Sequence, residues 1–338
     1  MPVPDEMADE MAHDGTRDMA QGGAQGEAGD MARPDDGRPE PGWWTRVAAP
    51  TPIAAAELVE LREELDAAAV AAMSRSHVDA DDLPVRVPKS RLADLARCER
   101  SALASARSVD PRRREGAEAL GLLRGIALDH FVTHQLTEGR VLEALPALVS
   151  MLTAVADDES FELLDAVSID EAETALAPLA ASVADTWAGL DPAWMPRTQS
   201  RASLVLAGGT VICSGVVDVE LGGPTTGLPG VLIEVKSGRP TPEHQAEAYL
   251  YALLVALRDG IAPVGVARWY PGSDPASTPV TLGVLEAAAA RLADTTETWV
   301  ELVAGRTPEE SAGVWCRWCA EADRCPSART DEDSGAPL

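Results

Sequence analysis

From Arg201 onward the apolar residues leave the helical period and alternate along the chain, and that change of period limits what the chain can fold into. ASLVLAG, VICSGVVDVEL and VLIEVKSG read as three successive strands. Gly208 and Gly209 turn the first into the second, and a Gly/Pro-rich loop separates the second from the third. A helix over about 242–258 follows, with Thr241 as N-cap and Pro242 at the first helical position, and VGVARWY reads as a further strand. Helix, three strands, helix, strand is the expected order, which makes the fold class α/β.

Asp218 lies on the second strand of this run, Glu234 and Lys236 on the third. Glu234 and Lys236 are separated by one residue and so share a side of a pleated strand. Two carboxylates and an amine on neighbouring strands are the groups that metal-dependent phosphodiester hydrolysis needs. Mg²⁺ prefers oxygen ligands and keeps waters, it lowers the pKa of a bound water, and an ammonium orients that water or offsets charge growing on the phosphate. Gln245 and Tyr249, four apart on the following helix, border the sheet edge. An E-x-K triplet alone also fits a solvated strand face; the Asp one strand earlier and the Gln-x3-Tyr one helix later weigh against that reading. Of 28 basic residues only Lys89 and Lys236 are lysines. Arginine does not readily lose its proton, whereas a lysine pKa is adjustable, so Lys236 is marked as a position where the amine itself matters.

The net charge is −27, and residues 1–40 hold 11 acidic against 3 basic side chains. Residues 1–42 read as a disordered acidic tail and 43–110 as a helical segment, with one helix over 43–74 and another that carries Cys98 and has Ser90 as its N-cap. A core over 111–275 begins with a helix at 114–136 and holds a helical insertion at about 141–190. A C-terminal helix with a cysteine cluster (276–326) and a disordered tail (327–338) complete the expected organisation. The acidity lowers the expectation of tight nonspecific nucleic-acid binding, although screening still permits a locally basic groove. Arg112, Arg113 and Arg114, and the group Arg86, Lys89, Arg91, Arg97 and Arg100 around Cys98, read either as phosphate contacts or as solvated surface charge. No run of 18 apolar residues and no secretory signal is found, so no membrane partner and a cytoplasmic location with reduced thiols are expected.

Cys316, Cys319 and Cys325 are spaced C-x2-C-x5-C, and Cys98 is a fourth candidate. In a reducing compartment that spacing suggests metal or redox chemistry rather than a disulfide, and four thiolates hold either zinc or a [4Fe-4S] cluster. Cys213, on the strand leading to Asp218, reads as a buried small residue.

These motifs resemble the PD-(D/E)XK nuclease superfamily, in particular its RecB-like branch. The likeness spans about 115–270 and is carried by GVVDVEL with Asp218, IEVKSG with Glu234 and Lys236, and QAEAY with Gln245 and Tyr249. The resemblance implies a restriction-endonuclease-like αβββαβ core with a mixed sheet. It further implies Mg²⁺ or Mn²⁺ held by Asp218 and Glu234, Lys236 as catalytic lysine, and Gln245 and Tyr249 beside the active site. The branch usually places a metal-binding His four residues after a Gly in the first helix; GIALDHFV has Asp129 there and His130 one later. His130 is favoured as the third ligand because it shares a face with Leu123 and Ala127, with Asp129 as the alternative. One cysteine before the core and three after it resemble the iron-sulfur-stapled members, among them AddB-type subunits and CRISPR-adaptation nucleases. That layout favours [4Fe-4S] over zinc at Cys98, Cys316, Cys319 and Cys325. The function implied is a DNA nuclease, chiefly an exonuclease on single-stranded or free ends, in repair, recombination or CRISPR-type processing. The alternative is a non-catalytic nuclease-fold or DNA-binding subunit of a repair or adaptation complex.

Overall fold

Residues 42–47, 50–107, 116–156 and 167–328 are described by the computed structural model. The expected terminal tails, apart from residues at their inner edges, and Arg112, Arg113 and Arg114 lie outside them. The elements in chain order are α1 (Ala55–Arg75), β1 (Val85–Pro88), α2 (Ser90–Arg97), α3 (Glu99–Arg107), α4 (Gly116–Glu138), α5 (Val141–Ala156) and α6 (Ile169–Thr186). They continue with β2 (Arg197–Leu206), β3 (Val211–Gly223), β4 (Leu228–Val235), α7 (Pro242–Asp259), β5 (Gly265–Trp269), β6 (Ala276–Pro279) and α8 (Leu282–Val303). The chain is mixed α/β, with eight α-helices and one six-stranded mixed sheet among the described residues. No helix of the described residues is long and apolar enough to cross a membrane.

Several expectations are refined by these boundaries. A single helix over 43–74 is replaced by a 3₁₀ turn at Trp43–Arg46 and then α1, because Pro50 and Pro52 stand between them. Strands β1 and β6, four residues each, are too short to announce themselves by alternation. β1 nonetheless joins the sheet, pairing parallel with β3 from Val85↔Val211 to Pro88↔Ser214.

The sheet separates two apolar cores. On one face α1, α7 and α8 pack around Leu58, Leu61, Leu250, Leu253, Leu292 and Val300; on the other α4, α5 and α6 pack around Phe131, Leu152, Leu176 and Val183. Trp43, Trp44, Trp187 and Trp269 form an aromatic chain across the second core, with ring centroids 5.7–6.2 Å apart, and so bind the segment before α1 to β5. α7 ends at Gly260, whose φ of 68° allows the left-handed stop.

β3 is the organising strand. One of its edges is paired with β2 from Val211 to Glu220. The other edge has two partners in succession, β1 along 211–214 and β4 along 219–223. Between them, residues 215–218 have no strand partner on that side. A second irregularity falls at the same level on the β2 edge. Gln199 has φ 50°, and the ladder passes from Ser200↔Val217 to Thr198↔Val219 without pairing Gln199 to Asp218. The strand alternation reverses across this point. Gly215 faces Tyr251 of α7, whereas five residues on Glu220 faces Arg258 of the same helix, and Val219 and Leu221 lie in the opposite core.

Candidate active site

The opening beside residues 215–218 is where the charged residues gather. Strand β1 enters it from one end and stops with Lys89, whose backbone N–H donates to Ser214 O at 2.8 Å. β4 enters from the other end and turns away toward β5, its last step marked by the Lys236 N–H donating to Trp269 O at 3.0 Å. Across the gap the Asp218 carboxylate accepts from the Val235 N–H at 2.7 Å, taking the place of a ladder bond. Gly215 is required here, since a Cβ on it would stand 2.6 Å from the Tyr251 ring.

Both lysines of the chain converge on this point. The Lys89 ammonium donates to Glu234 Oε1 at 2.7 Å and the Lys236 ammonium reaches the same oxygen at 2.5 Å. Glu247, on α7, holds the same two ammoniums through Oε2, at 2.8 Å from Lys236 and 3.2 Å from Lys89. Lys89 Nζ also stands 4.9 Å from the centroid of the Tyr251 ring. Glu234 is only 2% exposed, and its second oxygen, Oε2, is buried without a hydrogen-bond partner among the described residues.

Electrostatics follow from that crowding. Burial opposes charge on both lysines, but Glu234 and Glu247 outweigh it and hold both ammoniums above their ordinary pKa. Burial likewise works against the Glu247 carboxylate, yet Lys89 and Lys236 bring it down to about 2. Asp218 goes the other way. Burial, then repulsion from Glu234 and Asp129, lifts its carboxyl well above the usual range. Asp129 is pushed up to about 6 by burial and by Glu234, with Lys236 and Lys89 pulling it partly back. Four carboxyls face two ammoniums, and the two carboxyls least served by the lysines are the ones pushed toward protonation.

The expected residues distribute unevenly over this site. Asp218, Glu234 and Lys236 are brought together. His130, the favoured third ligand, is exposed, and it is Asp129 that shares the electrostatic environment of Glu234 and Lys236. One residue is a rotation of about 100° on a helix, so both cannot face the same way. Gly125, one turn before Asp129, marks the site-facing side: a Cβ there would meet Ser237 Oγ at 3.6 Å. Gln245 is partly buried, and its Nε2 is buried without a partner among the described residues. Tyr249 packs against the α1–α8 core and, among the described residues, makes no hydrogen bond to the four acids. Glu247 and Tyr251, two residues further along α7 than the expected pair, occupy the site instead. His244 on the same helix meets the Tyr270 hydroxyl at 2.9 Å, and burial followed by Lys236 lowers its pKa.

The cysteines form a second locus. Cys98, at the C-terminal end of α2, lines one small cavity with Cys316, Cys319 and Cys325. Two 3₁₀ turns, Val314–Trp318 and Ala322–Arg324, present the last three, and the Gly313 N–H points at Cys316 Sγ at 3.4 Å. All four are free thiols. The C-terminal segment is docked by Arg100, which pairs with Glu310 and with Glu321 (2.9 Å), and by Glu99, which pairs with Arg306 at 2.9 Å. Cys213 stands apart, buried beside Thr296, its thiol pushed up to about 11 by burial. Among the described residues no group of three or more His, Cys, Asp or Glu side chains is arranged to hold a metal ion. The donor sets are nevertheless chemically apt: four thiols on one cavity, and a carboxyl cluster with an unpartnered buried oxygen.

No family model matches the chain, and no curated protein matches it. Among solved structures, one described as "Crystal structure of SSO0001" aligns at 14% identity over 81% of this chain and 96% of that chain, with a TM-score of 0.33.

Proposed function

We propose that the chain is a metal-dependent nuclease that hydrolyses phosphodiester bonds of DNA. The observation that carries the reading is Glu234, a buried carboxylate with one oxygen held by both lysines and the other unpartnered, set among Asp218 and Asp129, whose carboxyls resist ionisation. Asp218, Glu234 and Asp129 are the residues that would hold Mg²⁺ or Mn²⁺, which when bound supplies Lewis acidity and an ionised water. The chain's own part is positional. The Val235 N–H fixes one Asp218 oxygen, and Glu247 fixes both ammoniums so that they remain charged. Lys236 would stabilise charge developing on a phosphate. The four cysteines would hold a [4Fe-4S] cluster, or zinc, as a clip between the region before the sheet and the C-terminus.

The test is cleavage of end-labelled single- and double-stranded DNA with Mn²⁺, Mg²⁺ or EDTA. Glu234→Gln and Lys236→Ala should each lower the metal-dependent rate by about 10²-fold or more. Undiminished activity in either variant refutes the reading. Calorimetric titration with Mn²⁺ separates it from a non-catalytic subunit, which would take up no ion at this site.

A further inference from the structure

The site is approached through an open groove whose walls include Lys89, Ser90, Arg201, Ser214, Asp218 and Tyr251. Lys236, Glu234 and Glu247 are not among the described residues lining it. Of the two lysines that share the same two carboxylates, Lys89 is the one that lines this groove. Both lysines keep a similar part of their side chains exposed, 25% for Lys89 and 21% for Lys236, against 1% for Glu234. The Lys89 ammonium is held by Glu234 and Glu247 and stands over the ring of Tyr251, which lines the same groove. Arg201 is exposed on β2 and pairs with Val216, in the stretch of β3 whose other edge has no strand partner. Two cations of different elements thus flank a passage that ends on Asp218.

We propose that this groove is the backbone subsite for the strand being cut, with Lys89 and Arg201 each holding a phosphate next to the one that is hydrolysed; the proposal rests on the nuclease reading above. The ligand class is a single-stranded phosphodiester chain. Lys89 acts here as a point charge, which suits a phosphate passing at variable angles, and Arg201 contributes the fork that can take two oxygens of one phosphate. Neither contact reads a base, so recognition at this subsite is independent of sequence.

The experiment is fluorescence-anisotropy titration of a labelled oligodeoxythymidylate in EDTA, where no cleavage occurs, over about 50–200 mM salt. For single strands each lost phosphate contact should reduce the slope of log K against log salt by about 0.7. Lys89→Gln and Arg201→Gln are each expected to show that reduction, and Lys89→Arg to restore it. In steady-state cleavage Lys89→Gln should raise KM more than it lowers kcat, the pattern of a lost binding contact. Arg201 is exposed, so its variant reports on binding even if Lys89→Gln disturbs the Glu234–Glu247 pairing. Wild-type protein that cleaves while both variants keep the full slope and KM overturns the subsite and leaves the nuclease reading intact. Wild-type protein that neither binds the oligonucleotide nor cleaves overturns both.

Discussion

Asp129 shows how a single side chain reports on this site. Its carboxyl titrates at about 6 in the fold against an ordinary 3.8, so the native state holds the proton more tightly than the unfolded chain does. The sign follows: the residue costs nothing below pH 3.8, and its cost grows as pH rises through the interval up to about 6. The full shift corresponds to about 3 kcal/mol, which partial exposure reduces to about 1–2 kcal/mol. Asp129→Asn should therefore raise stability by about 1–2 kcal/mol at pH 7 in divalent-free buffer, with the gain shrinking toward pH 4, as read from urea unfolding at each pH. His130→Ala, at an exposed position, should stay within about 0.5 kcal/mol throughout. The reverse pattern would return the site-facing role to His130. The apolar face through Leu123 and Ala127 pointed to His130 because α4 is packed on more than one side, by α5 and α6 as well as the sheet. An apolar stripe then no longer indicates where the functional face lies. Gly125, one turn before Asp129, lies on the side that faces Ser237.

At the scale of the element, β3 carries the site because it has two partners in succession on one edge and a gap between them. Gly215 sits in that gap under the Tyr251 ring. Gly215→Ala forces the ring away and with it the surface on which Lys89 rests; overpacking of this kind costs about 1–3 kcal/mol. Chemical unfolding should show that loss, and the variant should also lose metal-dependent cleavage, whereas an intact midpoint would mean that the ring can move freely. Strands β2 to β5 were legible as strand-like runs and follow the helices α4 to α6 in the expected order of three strands, a helix and a strand, whereas β1 and β6 were not legible. The reversal at Gln199 and Asp218 was not legible either. A positive φ is cheap only for glycine, so a glutamine there leaves no trace in the sequence. The phase of α7 was also hidden, since this helix is covered by the sheet on one side and by α1 and α8 on the other, and its buried residues run almost continuously from Leu250 to Ala256.

At the scale of the molecule, the C-terminal segment closes back onto α2 and α3. The ion pairs of Glu99 and Arg100 with Arg306, Glu310 and Glu321 dock it, and the cysteine cavity lies beneath them. Because all four thiols line one cavity, Cys98→Ala and Cys325→Ala should lose bound metal together and to the same degree, although Cys98 lies far from the other three along the chain. Elemental analysis of anaerobically purified protein checks this, with iron and sulfide in equal amounts for a cluster and zinc without colour for the alternative. Loss of the clip should lower Tm by about 2–4 °C for each kcal/mol removed, as closing so long a loop is entropically costly. Variants that retain full metal and an unchanged Tm would exclude a shared site.

The sequence by itself determined the α/β class, the strands bearing Asp218 and Glu234 with Lys236 just past the end of the second, and the C-x2-C-x5-C spacing of Cys316, Cys319 and Cys325, because residue type and local period decide which way a side chain leaves its own element. Only the tertiary structure decided what lies opposite. Lys89 is 145 positions from Glu234, and nothing local to β1 or α2 reveals that its ammonium shares an oxygen with Lys236. Glu247 and Tyr251 entered the site, and Tyr249 and His130 left it, through rotations of helices about their axes that are set by packing on several sides at once. The scarcity of lysine singled out Lys236, and the fold brings the other lysine to it: the two ammoniums are held by the same two carboxylates, and Lys89 lines the groove.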